Sequence, residues 1–108
     1  MTRYMLAVES LSGMILMTFP RHEWDQLKRR LMRGNPIYTT RISKEQGRYK
    51  KGMRVKVPFW KTVLSVMDVK TFDHIEDHPF YDELTAPQIK EIEGNRFDVV
   101  KLGMIKVT

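Results

Sequence analysis

The chain has 108 residues, 42% hydrophobic and 30% charged, which is the size and composition of one globular domain able to bury a core without staples. It has no cysteine, which excludes a disulfide framework and thiolate chemistry and fits a reducing cytoplasm. A net charge of +6 points either to a polyanionic partner, nucleic acid being the commonest, or to a plain solvated basic surface.

The first 13 residues follow no pattern: Ser10, Ser12 and Gly13 interrupt them, and Met5 and Met14 are both plausible starts. They are expected to form a flexible N-terminal extension to a single domain over 1–108. Glu9 breaks the apolar middle of the opening stretch, which argues against a signal peptide. No apolar run reaches the roughly 18 residues of a membrane span, so no membrane contact is expected. Residues 14–19, MILMTF, are short, apolar and bounded, as a buried strand would be.

Pro20 sits where a helix can begin, and Trp24, Leu27 and Leu31 follow at helical spacing with Met32 beside them. Gly34 is the natural stop, and Lys28, Arg29, Arg30 and Arg33 suit the C-terminal end of the helix dipole. Those cations read as a solvated face rather than as a recognition helix.

Ile37 to Ile42 predicts a strand whose one face carries Ile37, Thr39 and Arg41, and whose other carries Tyr38, Thr40 and Ile42. The polar, glycine-punctuated stretch SKEQGRYKKG is a loop. Met53, Val55, Val57 and Phe59 alternate with Arg54, Lys56 and Pro58 in a half-buried strand that Pro58 ends or places at an edge. Thr62 to Phe72 is rich in β-branched residues and predicts another strand.

DHIEDHPFYDEL is a polar connection. Its His74 and His78 are four apart, but Pro79 disfavours helix at His78, and the pattern is not that of a zinc protease; the stretch reads as a surface acidic loop with no metal. Thr85 with Gln88 forms a capping-box signature with Pro87 in the first turn, and the short helix ends near Ile92 before Gly94. Arg96 to Val107 closes the chain as a strand. The fold class is therefore α+β.

Gly34, Asn35, Pro36, Ile37, Tyr38, Thr39, Thr40 and Arg41, followed by the turn Lys50, Lys51, Gly52 and Met53, resemble the ASCH family, a branch of the PUA-like superfold. The likeness runs from about Phe19 to the C-terminus. It implies a PUA-like β-barrel or strongly curved mixed sheet with two helices. Some relatives are amidohydrolases of acylated pyrimidine nucleosides that use a motif lysine, a threonine two residues before the arginine, and a distant glutamate. Thr39 matches the threonine and is the single catalytic candidate. The lysine falls on Asn35 or Pro36, neither of which is an amine, so Lys51 or Lys56 would have to replace it.

The expected site is a basic cleft beside the first helix that binds RNA or a nucleotide, with no cofactor. Arg41 would offer its planar donor fork to a phosphate or base edge, and Thr39 a hydroxyl. Arg41 could instead pair with a local carboxylate, Glu93 or Asp98. Arg48, Tyr49, Lys50, Lys51 and Arg54 put four cations and one aromatic in seven residues, for phosphate grip and base stacking. Tyr49 could equally be a packing residue and the lysines merely solvated. The rival functions are the amidohydrolase and a module whose basic face meets an acidic protein.

Overall fold

A computed structural model describes residues 14–58, 60 and 62–105. The expected N-terminal extension over 1–13, as well as Phe59, Lys106 and Val107 of the expected strands, lies outside the described residues. The elements are β1 (Met14–Leu16), α1 (Arg21–Met32), β2 (Ile37–Ile42), β3 (Arg54–Lys56), β4 (Val63–Phe72), α2 (Ala86–Ile92) and β5 (Phe97–Met104). They form an α+β fold around one five-stranded mixed sheet of order β1-β3-β4-β5-β2. Only β1 and β3 run parallel; the other pairs are antiparallel. Of the two expected forms, barrel or curved sheet, the open curved sheet is found, with β1 and β2 as its edges.

Local chemistry explains most boundaries. α1 starts after Pro20, whose carbonyl accepts from the Glu23 and Trp24 amides. It stops at Gly34, where φ is +84° and the Gly34 and Asn35 amides return to the Leu31 and Arg30 carbonyls. That crossed pair of bonds needs a left-handed residue, which glycine supplies without a Cβ clash. At α2 the capping box is present in both directions between Thr85 and Gln88. β3 is shorter than the alternation of residues 53–59 predicts, because Pro58 falls in a turn closed by the Trp60 amide on the Val57 carbonyl. β1 likewise ends at Leu16, although the Met17 amide still reaches the Lys56 carbonyl. A register shift between Val66 and Asp68 leaves Met67 out of step in β4 and sharpens the local bend.

The sheet is covered on both faces. Met17, Leu31, Ile37, Tyr49, Leu64 and Leu102 belong to a core on the α1 side, joined by Trp24 and Leu27. Ile75, Ile92, Phe97 and Val99 form a second cluster with Phe72, Phe80 and Leu84 on the α2 side. β5 shows the parity directly: Phe97 and Val99 enter the second cluster, Val100 and Leu102 the first. Met32, expected beside Leu31, points away from the core and is 65% exposed.

Candidate functional site

β2 pairs with β5 alone among the described residues, so its far edge is open. A cleft of about 700 Å³ wraps that edge between α1 and the segment from His78 to α2. Thr39 and Arg41 line it from one face of the strand, Tyr38, Thr40 and Ile42 from the other. The strand parity expected from the sequence therefore holds, and both faces of β2 reach the same hollow because the strand is at an edge.

Arg41 is 8% exposed. Its guanidinium lies over the Phe19 ring at 4.8 Å and farther from the Tyr49 ring, at 5.8 Å. Its carboxylate partner is Glu45, with Nη1 3.5 Å from Oε1. This corrects the expected partners Glu93 and Asp98. The contact is long for a charged hydrogen bond, and the buried Nε has no hydrogen-bond partner among the described residues. Burial pushes the guanidinium below its ordinary pKa, only partly opposed by Tyr49 and Glu45. The guanidinium has thus been taken out of water with its Nε unpaired and its Nη1 held by one long contact.

Glu45 is the hub beneath it. Its Oε2 accepts from Arg48 Nη1 at 2.8 Å, and its Oε1 accepts from the Tyr49 hydroxyl at 2.9 Å. Burial would raise its carboxyl, but the bonds from Arg48 and Tyr49 and the charges of Arg48 and Arg41 outweigh that and hold it below the usual range. Burial and the bond to Glu45 push Tyr49 up to about 12. The turn that carries Glu45 enters through Ser43, at φ +55°, a conformation that costs a non-glycine residue roughly 1–2 kcal/mol. Asp98 holds the turn: it accepts from Gly47 N at 2.7 Å, Gln46 Nε2 at 3.2 Å and Thr71 Oγ1 at 2.6 Å.

On the opposite wall His78 is 6% exposed and stacked on Phe97 at 5.4 Å. This corrects its place in a surface acidic loop; Asp73, His74, Glu76 and Asp77 are exposed as expected. The Phe80 amide donates to His78 Nδ1 at 3.0 Å. Burial depresses the imidazole pKa, which favours the neutral ring, so the proton resides on Nε2. Nε2 then donates to Thr40 Oγ1 at 2.8 Å. This tautomer cannot take a proton from Thr40. It leaves the threonine's own hydrogen free to be donated into the cleft.

The remaining expected residues lie elsewhere. Tyr49 is 2% exposed and belongs to the core, so its ring offers no stacking face, a correction to its role as a base platform. Arg48 is half exposed and tied to Glu45. Lys50 and Lys51 are exposed on a turn that Gly52, at φ +92°, closes against the Val66 carbonyl, and Arg54 is exposed on β3. None of these four cations lines the cleft. No lysine among the described residues lines it either, and β3, which carries Lys56, is three strand spacings, roughly 14 Å, from β2.

Several cleft residues escaped the sequence reading: Glu23, Gln26 and Arg30 of α1, with His78 and Phe80 across from them. A signal for the first three existed. Glu23, Gln26, Arg30 and Arg33 recur at helical spacing and form one polar stripe. Gln26, Arg29, Arg30 and Arg33 also line a second hollow of about 380 Å³, which shares Gln26 and Arg30 with the cleft. Compared with models of known protein families, with curated proteins and with solved structures, the chain matches none.

Proposed function

We propose that this chain is a binding module for single-stranded RNA or a nucleotide, with one base entering the cleft at the β2 edge. The observation that carries the reading is Arg41: a residue almost wholly buried, its Nε unpaired and its Nη1 held only by the 3.5 Å contact to Glu45, on the wall of a cleft large enough for a base. Buried donors without partners are rare in folded proteins, and a planar fork matches the paired acceptors of a base edge. Thr40, with its hydrogen released by the bond from His78, adds a donor on the other wall. Tyr38 is 39% exposed and braced against Phe80 at 4.8 Å, which suits it to stack on a base.

Charge assigns the phosphates a different place. The cleft holds Glu23, Glu83 and Glu91 beside Arg30 and Arg41, a mixture that repels a run of phosphates. The adjoining hollow of Arg29, Arg30 and Arg33 carries basic charge alone and takes the backbone. The cations of Arg48, Lys50, Lys51 and Arg54 lie outside the cleft and supply steering rather than contact with the base. The ASCH likeness belongs to the same proposal, with the amidohydrolase branch set aside because no lysine among the described residues lines the cleft.

The test is fluorescence anisotropy of a short single-stranded RNA at about 50 and about 200 mM salt. Affinity should fall with salt, and Arg41→Ala should weaken binding at both concentrations without flattening the salt dependence. Binding indifferent to both salt and Arg41→Ala would overturn the reading.

A further inference from the structure

We infer that the cleft selects guanine over the other three bases. The inference rests on the base-binding reading above and deepens it. Two observations carry it, both on the α1 side of the cleft. The first is the Arg41 guanidinium, whose Nε has no partner and whose Nη1 has only the long 3.5 Å contact to Glu45, so that its planar donors can turn to a ligand. The second is Glu23, which is half-buried, lines the same cleft and makes no side-chain hydrogen bond or ion pair among the described residues. Its charge reaches Arg41 without neutralising it through contact. Glu23 lies in the first turn of α1, where a carboxylate favours the helix dipole; that role uses its charge but leaves its two oxygens free to accept.

A fork of donors and a fork of acceptors beside each other define the complement they need. The ligand must show two adjacent acceptors on one edge and two adjacent donors on the next. Guanine does so, with O6 and N7 on one edge and N1–H and N2–H on the neighbouring one. Adenine places its amino group between single acceptors and gives the arginine fork only one partner. Cytosine offers two adjacent acceptors but one donor group. Uracil separates its two carbonyls by a single N–H. Each mismatch leaves a desolvated donor or acceptor of Arg41 or Glu23 unpaired, which is the strongest means a polar site has of rejecting a near relative. The same base can come from an RNA strand or from a free nucleotide.

The experiment uses the full chain and anisotropy with oligouridine carrying a single central guanine, adenine or cytosine, and competition by 5′-GMP. The guanine strand should bind about tenfold tighter than the others. Replacing guanine by 7-deazaguanine, which lacks the N7 acceptor, or by hypoxanthine, which lacks the N2 amino group, should each lose most of that gain in the wild-type chain. Arg41→Met should no longer distinguish guanine from 7-deazaguanine, and Glu23→Ala should no longer distinguish guanine from hypoxanthine. Equal binding of all strands, or a preference for another base, overturns the guanine assignment and leaves base binding standing. No binding of any strand or of 5′-GMP at low salt overturns the base-binding reading itself. GMP competing at the concentration of the strand supports a free nucleotide as the source of the base; guanine preference in the strand without competition supports RNA.

Discussion

Arg41 and Asp98 stand directly opposite one another in the register of β2 and β5, yet among the described residues they form no ion pair. The Asp98 carboxylate is committed to Gln46, Gly47 and Thr71, and through them it holds the turn that brings Glu45 under the guanidinium. The carboxylate that faces Arg41 across the strand pair thus builds the loop instead of neutralising the arginine. That leaves Arg41 buried with its Nε unpaired and only the 3.5 Å contact to Glu45 at Nη1.

A side chain kept for binding rather than for stability should be replaceable at no thermodynamic cost. Arg41→Met keeps the packing against Phe19 and Tyr49, and Glu45 retains Arg48 and Tyr49 as partners. Urea unfolding should show stability unchanged or raised by about 1 kcal/mol, since an apolar side chain often replaces a poorly satisfied buried charge without loss. A loss above about 2 kcal/mol would make the guanidinium a structural group.

Asp98→Ala should behave in the opposite way. It strips three donors of their acceptor at a position 1% exposed, and a loss of about 3 kcal/mol is expected. Amide exchange should localise part of the damage: the Gly47 N–H should lose its protection in this variant while amides in the middle of β4 keep theirs.

Acid should weaken the fold through His78. Burial places the folded-state pKa below the unfolded one, so the unfolded chain binds the proton more readily. Above the ordinary value of about 6.5 both states are neutral and pH has no effect through this group; as pH falls below it, stability is lost. Urea midpoints should therefore drop between about pH 7 and about pH 5.5, and His78→Phe should remove most of that drop. Glu45 acts in a separate window. Its depressed carboxyl contributes stability above its unfolded value of about 4.3, which is lost only as pH falls further.

The salt dependence of RNA binding should map the backbone path. Each phosphate contact on a single strand contributes about 0.7 to the slope of log affinity against log salt. Arg33→Ala, in the basic hollow, should reduce the slope by about that amount. Lys51→Ala, on the exposed turn away from the cleft, should leave it nearly unchanged. An equal loss in both would mean that the backbone follows the turn.

Tyr38→Ala tests the stacking platform. The ring is partly exposed and leans on Phe80 alone among the aromatic contacts of the described residues. Binding should weaken about tenfold, the usual worth of one stacked base, while the unfolding midpoint moves little. An unchanged affinity would place the base elsewhere in the cleft.

Much of this molecule is written locally. The two faces of 37–42, the glycine stop at Gly34, the capping box at Thr85 and the element order follow from strand parity, helix pitch and the needs of unsatisfied backbone ends, which neighbouring residues settle among themselves. The sequence also placed Thr39 and Arg41 on one strand face. Only the tertiary structure decided that β2 is an edge, that Glu45 rather than Asp98 lies against Arg41, that His78 turns inward and Tyr49 joins the core, and that the densest basic turn lies away from the cleft. Glu45, four residues from Arg41, is brought against it by a turn that Asp98 holds from across the strand pair. Strand order and the inward turn of His78 depend on contacts between residues dozens of positions apart. They leave no periodic trace in the chain, because the energy that selects them comes from burying two distant surfaces together.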